Sequence, residues 1–316
     1  MRASSALLFS FGVLFVGGYK CPPGTVPFPP ATCEPASQAS KEATSFLQNN
    51  MPAFDTPNQA TLFDQGIVSP TVNISLTTRQ LYSWAASVPK SVFFDAVLPY
   101  SSVNEARTNW RVLLWDRLKP LADEMPVGST LEEVATVLNS KIWTELAAFS
   151  GSQKIVFKGD QTPLVYDTMS TLLFGYASCT GVSILYVNAL RAVGVPARLA
   201  GTPAWNGNVS NGNHNWVEVW LGEANNANNQ SEASLSGWHF LEGAPAGGGE
   251  SFSNPCDKWF CTKSKFSGSG PSETKVFAAA FKKSSKTYYP MAWDLDNHDI
   301  PGVDRSTDYQ KMCGSC

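Results

Sequence analysis

A chain of 316 residues with 43% apolar content is long enough to bury a sizeable core, as one large domain or two small ones. Charged residues make up 16%, against about a quarter in an ordinary globular chain, and 23 Lys and Arg against 26 Asp and Glu leave a net charge of −3. There is no basic stripe or charge run, no phosphate-cradling Gly-rich loop and no helical His-Glu-x-x-His, so the expectation is no nucleic-acid partner, no metal and no cofactor.

Met1 and Arg2 supply a short positive stretch, Ala6 to Val16 an apolar run and Val16-Gly-Gly18 a small-residue cleavage site, which together read as a secretory signal peptide over 1–18. The run is too short to span a bilayer, so the expectation is a secreted, extracellular chain with no membrane span; an uncleaved N-terminal anchor is the alternative. Sequons at Asn73, Asn208 and Asn229 would make it a glycoprotein in a eukaryotic host. Residues 19–39, rich in Pro, read as a loop tied by Cys21 and Cys33.

Residues 40–134 read as a helical region, with helices over Ser40 to Asn50, Thr77 to Ala86 and Ser102 to Leu121. Thr130-Leu-Glu-Glu133 has the form of a capping box opening a further helix to about Ala148. In Gly175-Tyr-Ala-Ser-Cys-Thr-Gly181, Ser178 is a candidate N-cap, and Val182, Leu185, Tyr186, Ala189, Leu190 and Val193 follow at helical spacing until Gly194 and Pro196 end the run. Cys179 therefore opens a helix, where unpaired N–H groups and the helix dipole favour thiolate and where its own N–H faces a developing oxyanion. A buried, inert helix cysteine is the competing reading.

Val195 to Thr202 reads as a strand, and Asn213-His-Asn-Trp-Val-Glu-Val-Trp-Leu221 alternates with period two, placing Val217, Val219 and Leu221 toward a core and His214, Trp216, Glu218 and Trp220 on the other face. Gly237 to Glu242 is a second short strand able to bring Glu242 to the far ring nitrogen of His214. Glu218 is the rival, but it lies about 13 Å along the same strand. His239 points away from Glu242, and neither it nor His298 reads as catalytic. The loop 206–213 precedes His214 and is a candidate substrate-lining segment.

Ser178 to Arg198, the His-Asn-Trp strand, and Trp-His-Phe-Leu-Glu242 together resemble the core of the transglutaminase-like superfamily. More loosely, Leu98 to Arg111 and Val276 to Lys283 resemble flanking segments of secreted, mostly bacterial proteins with that core. The resemblance implies an α+β, papain/transglutaminase-like fold: a helix-rich N-terminal half, with the nucleophile helix packed on a small antiparallel sheet. It also implies a thiol hydrolase, protease or acyltransferase acting on a protein or peptide substrate, with Cys179, His214 and Glu242 as catalytic residues. Glu242 stands where the family usually has Asp. Trp143 resembles in spacing the tryptophan that serves as oxyanion donor in animal transglutaminases, with Asn139 and Gln161 as rivals and a core aromatic as the bland alternative. The core is expected over 135–250. A hydrolase is favoured over a crosslinking enzyme; a peptide N-glycanase-type amidase and a non-catalytic adhesion module remain alternatives.

Of the seven cysteines, Cys21 with Cys33, Cys256 with Cys261 and Cys313 with Cys316 form close pairs and leave Cys179 over. Local disulfides are the preferred reading; a redox Cys-Gly-Ser-Cys pair and an all-thiolate zinc site are others. The C-terminal segment 251–316 is expected to hold a helix over Ser272 to Lys283 and an extended tail from His298.

Overall fold

The computed structural model describes residues 21–29, 32–64, 66–222, 237–247, 252, 273–283 and 287–314. The expectations for the signal peptide, Asn229, Cys256, Cys261 and Cys316 fall outside these residues.

The Pro-rich N-terminal stretch, expected as a loop, is an antiparallel hairpin of β1 (Thr25–Phe28) and β2 (Thr32–Pro35), joined by a Cys21–Cys33 disulfide. Its alternation turns Val26 and Phe28 into the core, and Phe28 meets the ring of Phe93 edge-on. Seven helices follow: α1 (Ala36–Asn50), α2 (Gln59–Asp64), α3 (Val68–Leu81), α4 (Ser83–Ala86), α5 (Lys90–Ala96), α6 (Trp110–Asp123) and α7 (Leu131–Glu145). The helix expected over Thr77 to Ala86 divides at Tyr82, whose backbone is extended and whose ring stacks on Trp84. Ser102 to Asn109 is not helical. There Glu105 accepts the N–H groups of Ser102 and Val103 at 2.6 and 2.7 Å, and Arg107 takes the Val103 and Glu105 carbonyls, so side chains satisfy the backbone that a helix would otherwise pair. The Thr130–Glu133 capping box is present at the start of α7.

The second half supplies β3 (Val156–Phe157), α8 (Thr168–Phe174), β4 (Tyr176–Ala177), α9 (Cys179–Ala192), β5 (Ala197–Thr202), β6 (His214–Trp220), β7 (Trp238–Leu241), β8 (Phe277–Ala279), β9 (Gly302–Asp304) and α10 (Ser306–Gly314). The main sheet runs β7-β6-β5-β8-β9, with every neighbouring pair antiparallel. The fold is α+β, as expected. Helix α9 lies between this sheet and the N-terminal helices and is buried from Thr180 to Ala192. Its polar side chains reach partners around it: Asn188 donates to Thr168 at 2.8 Å while its Oδ1 is buried without a partner, Ser183 donates to the Asn215 carbonyl at 3.2 Å, and Tyr186 to the Ala135 carbonyl at 2.7 Å.

Two expectations for the C-terminal segment are corrected. The stretch expected as a helix ending at Lys283 contains β8, whose Ala278 pairs with Ala200 of β5; a vacant sheet edge outweighs the helical preference of its Ala and Lys residues. The expected tail forms β9 and α10. Tyr309 of α10 covers the second face of the sheet, packing edge-on against Trp216 and accepting its indole N–H at 2.7 Å. For that reason β6 is buried on both faces, although its alternation suggested one core side. Beneath Tyr309, Glu218 holds Arg198 at 2.6 Å and Arg305 at 2.9 Å. Burial pushes the Glu218 carboxyl up, but the two guanidinium groups outweigh it and hold it below the usual carboxylate range.

Three buried arginines tie helices to loops through backbone carbonyls. Arg79 reaches Pro27, Ala86 and Val88; Arg191 reaches Ala96, Ala197 and Ser101; Arg111 reaches Arg191, Val97 and Pro99 at 2.7 to 2.9 Å. The forks satisfy loop and helix-end carbonyls; the Arg191 carbonyl also accepts the Gly194 N–H at 3.2 Å. Arg111→Met is expected to lower unfolding stability by about 3 kcal/mol, because the carbonyls of Val97 and Pro99 lose the guanidinium donor and that of Arg191 loses one of its donors. Urea unfolding monitored by tryptophan fluorescence checks this, and a loss below about 1 kcal/mol would contradict it.

Candidate active site

Cys179 is the first residue of α9, and its thiol is free. Ser178 occupies the N-cap position with an extended backbone, yet its hydroxyl makes no capping bond; it pairs with the Thr162 hydroxyl at 2.7 Å instead. A capping side chain would cover one of the first-turn N–H groups, whereas this arrangement leaves the helix end open toward the thiol.

His214 opens β6 and is 4% exposed. Its Nε2 meets Oε1 of Glu242 at 2.5 Å, and the imidazole hydrogen-bonds the Cys179 thiol through its remaining ring nitrogen. Leu241 pairs with Val217, so the residue after it stands across from Trp216, on the face His214 shares two residues away. A diagonal cross-strand neighbour is within reach of a long side chain, which is a physical reason for Glu rather than the shorter Asp here. Glu242 is fully buried. Asn139 of α7 fixes the backbone around it, donating to the Glu242 carbonyl at 2.8 Å and accepting the Ala244 N–H at 2.9 Å. The residue between them must be Gly243, since a Cβ there would come within 2.7 Å of Val182 and 3.0 Å of the Trp143 ring.

The structure therefore brings together Cys179, His214 and Glu242 from three separate stretches of chain. It does not offer Trp143 to the cleft in the same way. The Trp143 indole N–H is donated to the Asn139 carbonyl at 2.6 Å, within its own helix, which removes the donor on which the oxyanion expectation rested. Asn139 serves as the backbone clamp just described, and Gln161 donates to Gly159. Glu218, the rival orienter of His214, is held by Arg198 and Arg305. The loop 206–213 forms two exposed 3-10 turns leading into His214, anchored by buried Trp205.

Sequence reasoning missed Asn215. Its amide donates to the Thr180 hydroxyl at 2.9 Å, and its backbone N–H is among the groups that lower the Cys179 thiol. The signal was available: a polar residue at a core-facing position of an otherwise apolar strand face requires a buried partner.

Burial alone pushes the Cys179 thiol up, but the charge of the His214 imidazolium, its hydrogen bond and the Asn215 N–H outweigh burial, so the thiol titrates below its usual range. For His214 burial works downward, and the adjoining thiolate together with Glu242 reverses it, so the imidazole titrates above its usual range. The thiolate–imidazolium pair thus exists between the lowered thiol value and the raised imidazole value. Cys179 alkylation by iodoacetamide is expected to rise with pH at a midpoint below the ordinary thiol value of about 8.5, and His214→Gln to move that midpoint up by about one unit or more. A wild-type midpoint at or above the ordinary value would contradict the ion pair.

Among the described residues, no group of His, Cys, Asp and Glu could hold a metal ion, and no helix is long and apolar enough to cross a membrane. No curated protein matches the chain. Residues 131–241 match the family model of the transglutaminase-like superfamily, from the first residue of α7 to the last of β7, a stretch that includes Cys179 and His214 and stops just before Glu242.

Proposed function

We propose that the protein is a secreted thiol enzyme that transfers the acyl group of a protein or peptide amide through a thioester on Cys179, to water or to an amine. The observation that carries this reading is the free thiol at an open helix N-terminus in contact with an imidazole whose far nitrogen meets a buried carboxylate at 2.5 Å. The apolar N-terminal run of the sequence and the Cys21–Cys33 disulfide support the extracellular setting.

The Cys179 thiolate adds to the amide carbonyl carbon, and the oxyanion is held by the Cys179 N–H at the head of α9. As the C–N bond breaks, the His214 imidazolium gives its proton to the departing amine, leaving a thioester and a neutral imidazole. The imidazole then takes a proton from water or an incoming amine as that group attacks the thioester. The C–S bond breaks, acid or new amide departs, and thiolate and imidazolium are restored. Glu242 keeps the ring oriented and offsets its charge in both halves of the cycle.

A peptide library scored together for cleavage, deamidation and amine incorporation tests this. Cys179→Ala is expected to abolish all three, His214→Ala to lower the rate by about a thousandfold or more, and Glu242→Gln by about a hundredfold. Glu242→Asp retracts the carboxylate from the diagonal position and is expected to cost about tenfold. Undiminished activity in Cys179→Ala would reject the assignment.

A further inference from the structure

Tyr289 lies well beyond the family-matched core, in the segment between β8 and β9, and is 1% exposed. It packs in one cluster with Ile184 of α9 and Leu199 of β5. Its hydroxyl, the single polar group it brings into that cluster, donates to Oδ1 of Asn215. The amide of Asn215 is thereby held at both ends, since its Nδ2 donates to the Thr180 hydroxyl at 2.9 Å. The amide sits beside the nucleophile and its histidine: Thr180 is the chain neighbour of Cys179, and Asn215 follows His214 in β6. The neighbouring strand accommodates the arrangement only through Gly201, opposite Asn215 in β5. A Cβ there would stand 2.5 Å from Asn215 Oδ1 and 2.9 Å from the Tyr289 hydroxyl.

We infer that Tyr289 and Asn215 form a positioning pair that fixes the strand end carrying His214 against the head of the Cys179 helix, so that the C-terminal segment sets the reactivity of a nucleophile lying in the core. The inference rests on Cys179 being the nucleophile. Tyr289 acts as a donor and not as an acid: burial first, and the Cys179 charge second, hold its phenol well above the usual range. The other titratable groups around the sulfur are His214 from β6 and, behind it, Glu242 after β7. A rigid, doubly anchored amide holds the start of β6, and with it the His214 ring, in place beside the thiolate, where a loosely held strand end would let the ring swing away.

Iodoacetamide labelling of Cys179 in the full chain, followed by mass spectrometry across a pH series, reads this without any substrate. Tyr289→Phe, which removes only the hydroxyl, is expected to raise the labelling midpoint by about half a unit and to slow labelling about three- to tenfold at fixed pH. Thr180→Val, which removes the second anchor, is expected to shift the midpoint in the same direction and serves if Tyr289→Phe does not fold. In an Asn215→Ala background, Tyr289→Phe is expected to add no further slowing. A wild-type profile in Tyr289→Phe or Thr180→Val, or full additivity with Asn215→Ala, overturns the positioning pair while Cys179 remains reactive. A wild-type Cys179 that labels no faster than an unfolded cysteine peptide overturns the nucleophile assignment as well.

Discussion

Helix α9 is surrounded by protein from Thr180 onward, and a helix in that position admits little freedom of depth or rotation. Its N-terminus therefore has a fixed place relative to the sheet, and the thiol of Cys179 inherits that precision. Around this helix everything else is arranged: α6, α7 and α3 on one side, β5 and β6 on the other. The buried arginines serve the same end, since Arg191 at the far end of α9 and Arg111 from α6 clamp the loops that enclose it. Rigidity at one end of the helix is what allows its other end to be left open.

The chemistry concentrated at that open end depends on charges that would be costly apart. A thiolate, an imidazolium and a carboxylate lie in a largely buried site, where each alone would lose the solvation of water. Together they offset one another, and the backbone around them is pinned by side chains that take no direct part: Asn139 holds the Glu242 carbonyl, and the Asn215 amide holds the Thr180 hydroxyl next to Cys179. The superfamily match covers the thiol and the imidazole. Segments outside it, β8, β9, Tyr289 and α10, complete the sheet and line the back of the site.

The motif stretches were highly legible. Period-two alternation located β6, helical spacing and the Gly194-Val-Pro196 stop located α9, and Thr130-Leu-Glu-Glu133 marked the start of α7, because each of these signals is written within a few adjacent residues. Ser102 to Asn109 was misread as helix since the competing partner for its backbone is the carboxylate of Glu105, whose inward turn no local pattern announces. Spacing alone left Trp143 open between an oxyanion donor and a core aromatic, because spacing does not say which acceptor an indole N–H will find; here it is the Asn139 carbonyl.

What the amino-acid sequence determined by itself is the set of elements whose information is local: the helix that Cys179 opens and its cap position, the histidine strand, and a carboxylate after the next strand at a parity able to face it. Only the tertiary structure decided how the C-terminal residues are used. Val276 to Lys283 carries helix-favouring residues and becomes a strand because β5 leaves an edge to be paired, and the residues after His298 become β9 and α10 because the second face of the sheet must be covered. Sheet edges and exposed faces are created by distant parts of the chain, so the preference they impose outweighs local propensity and is invisible in any short window of sequence.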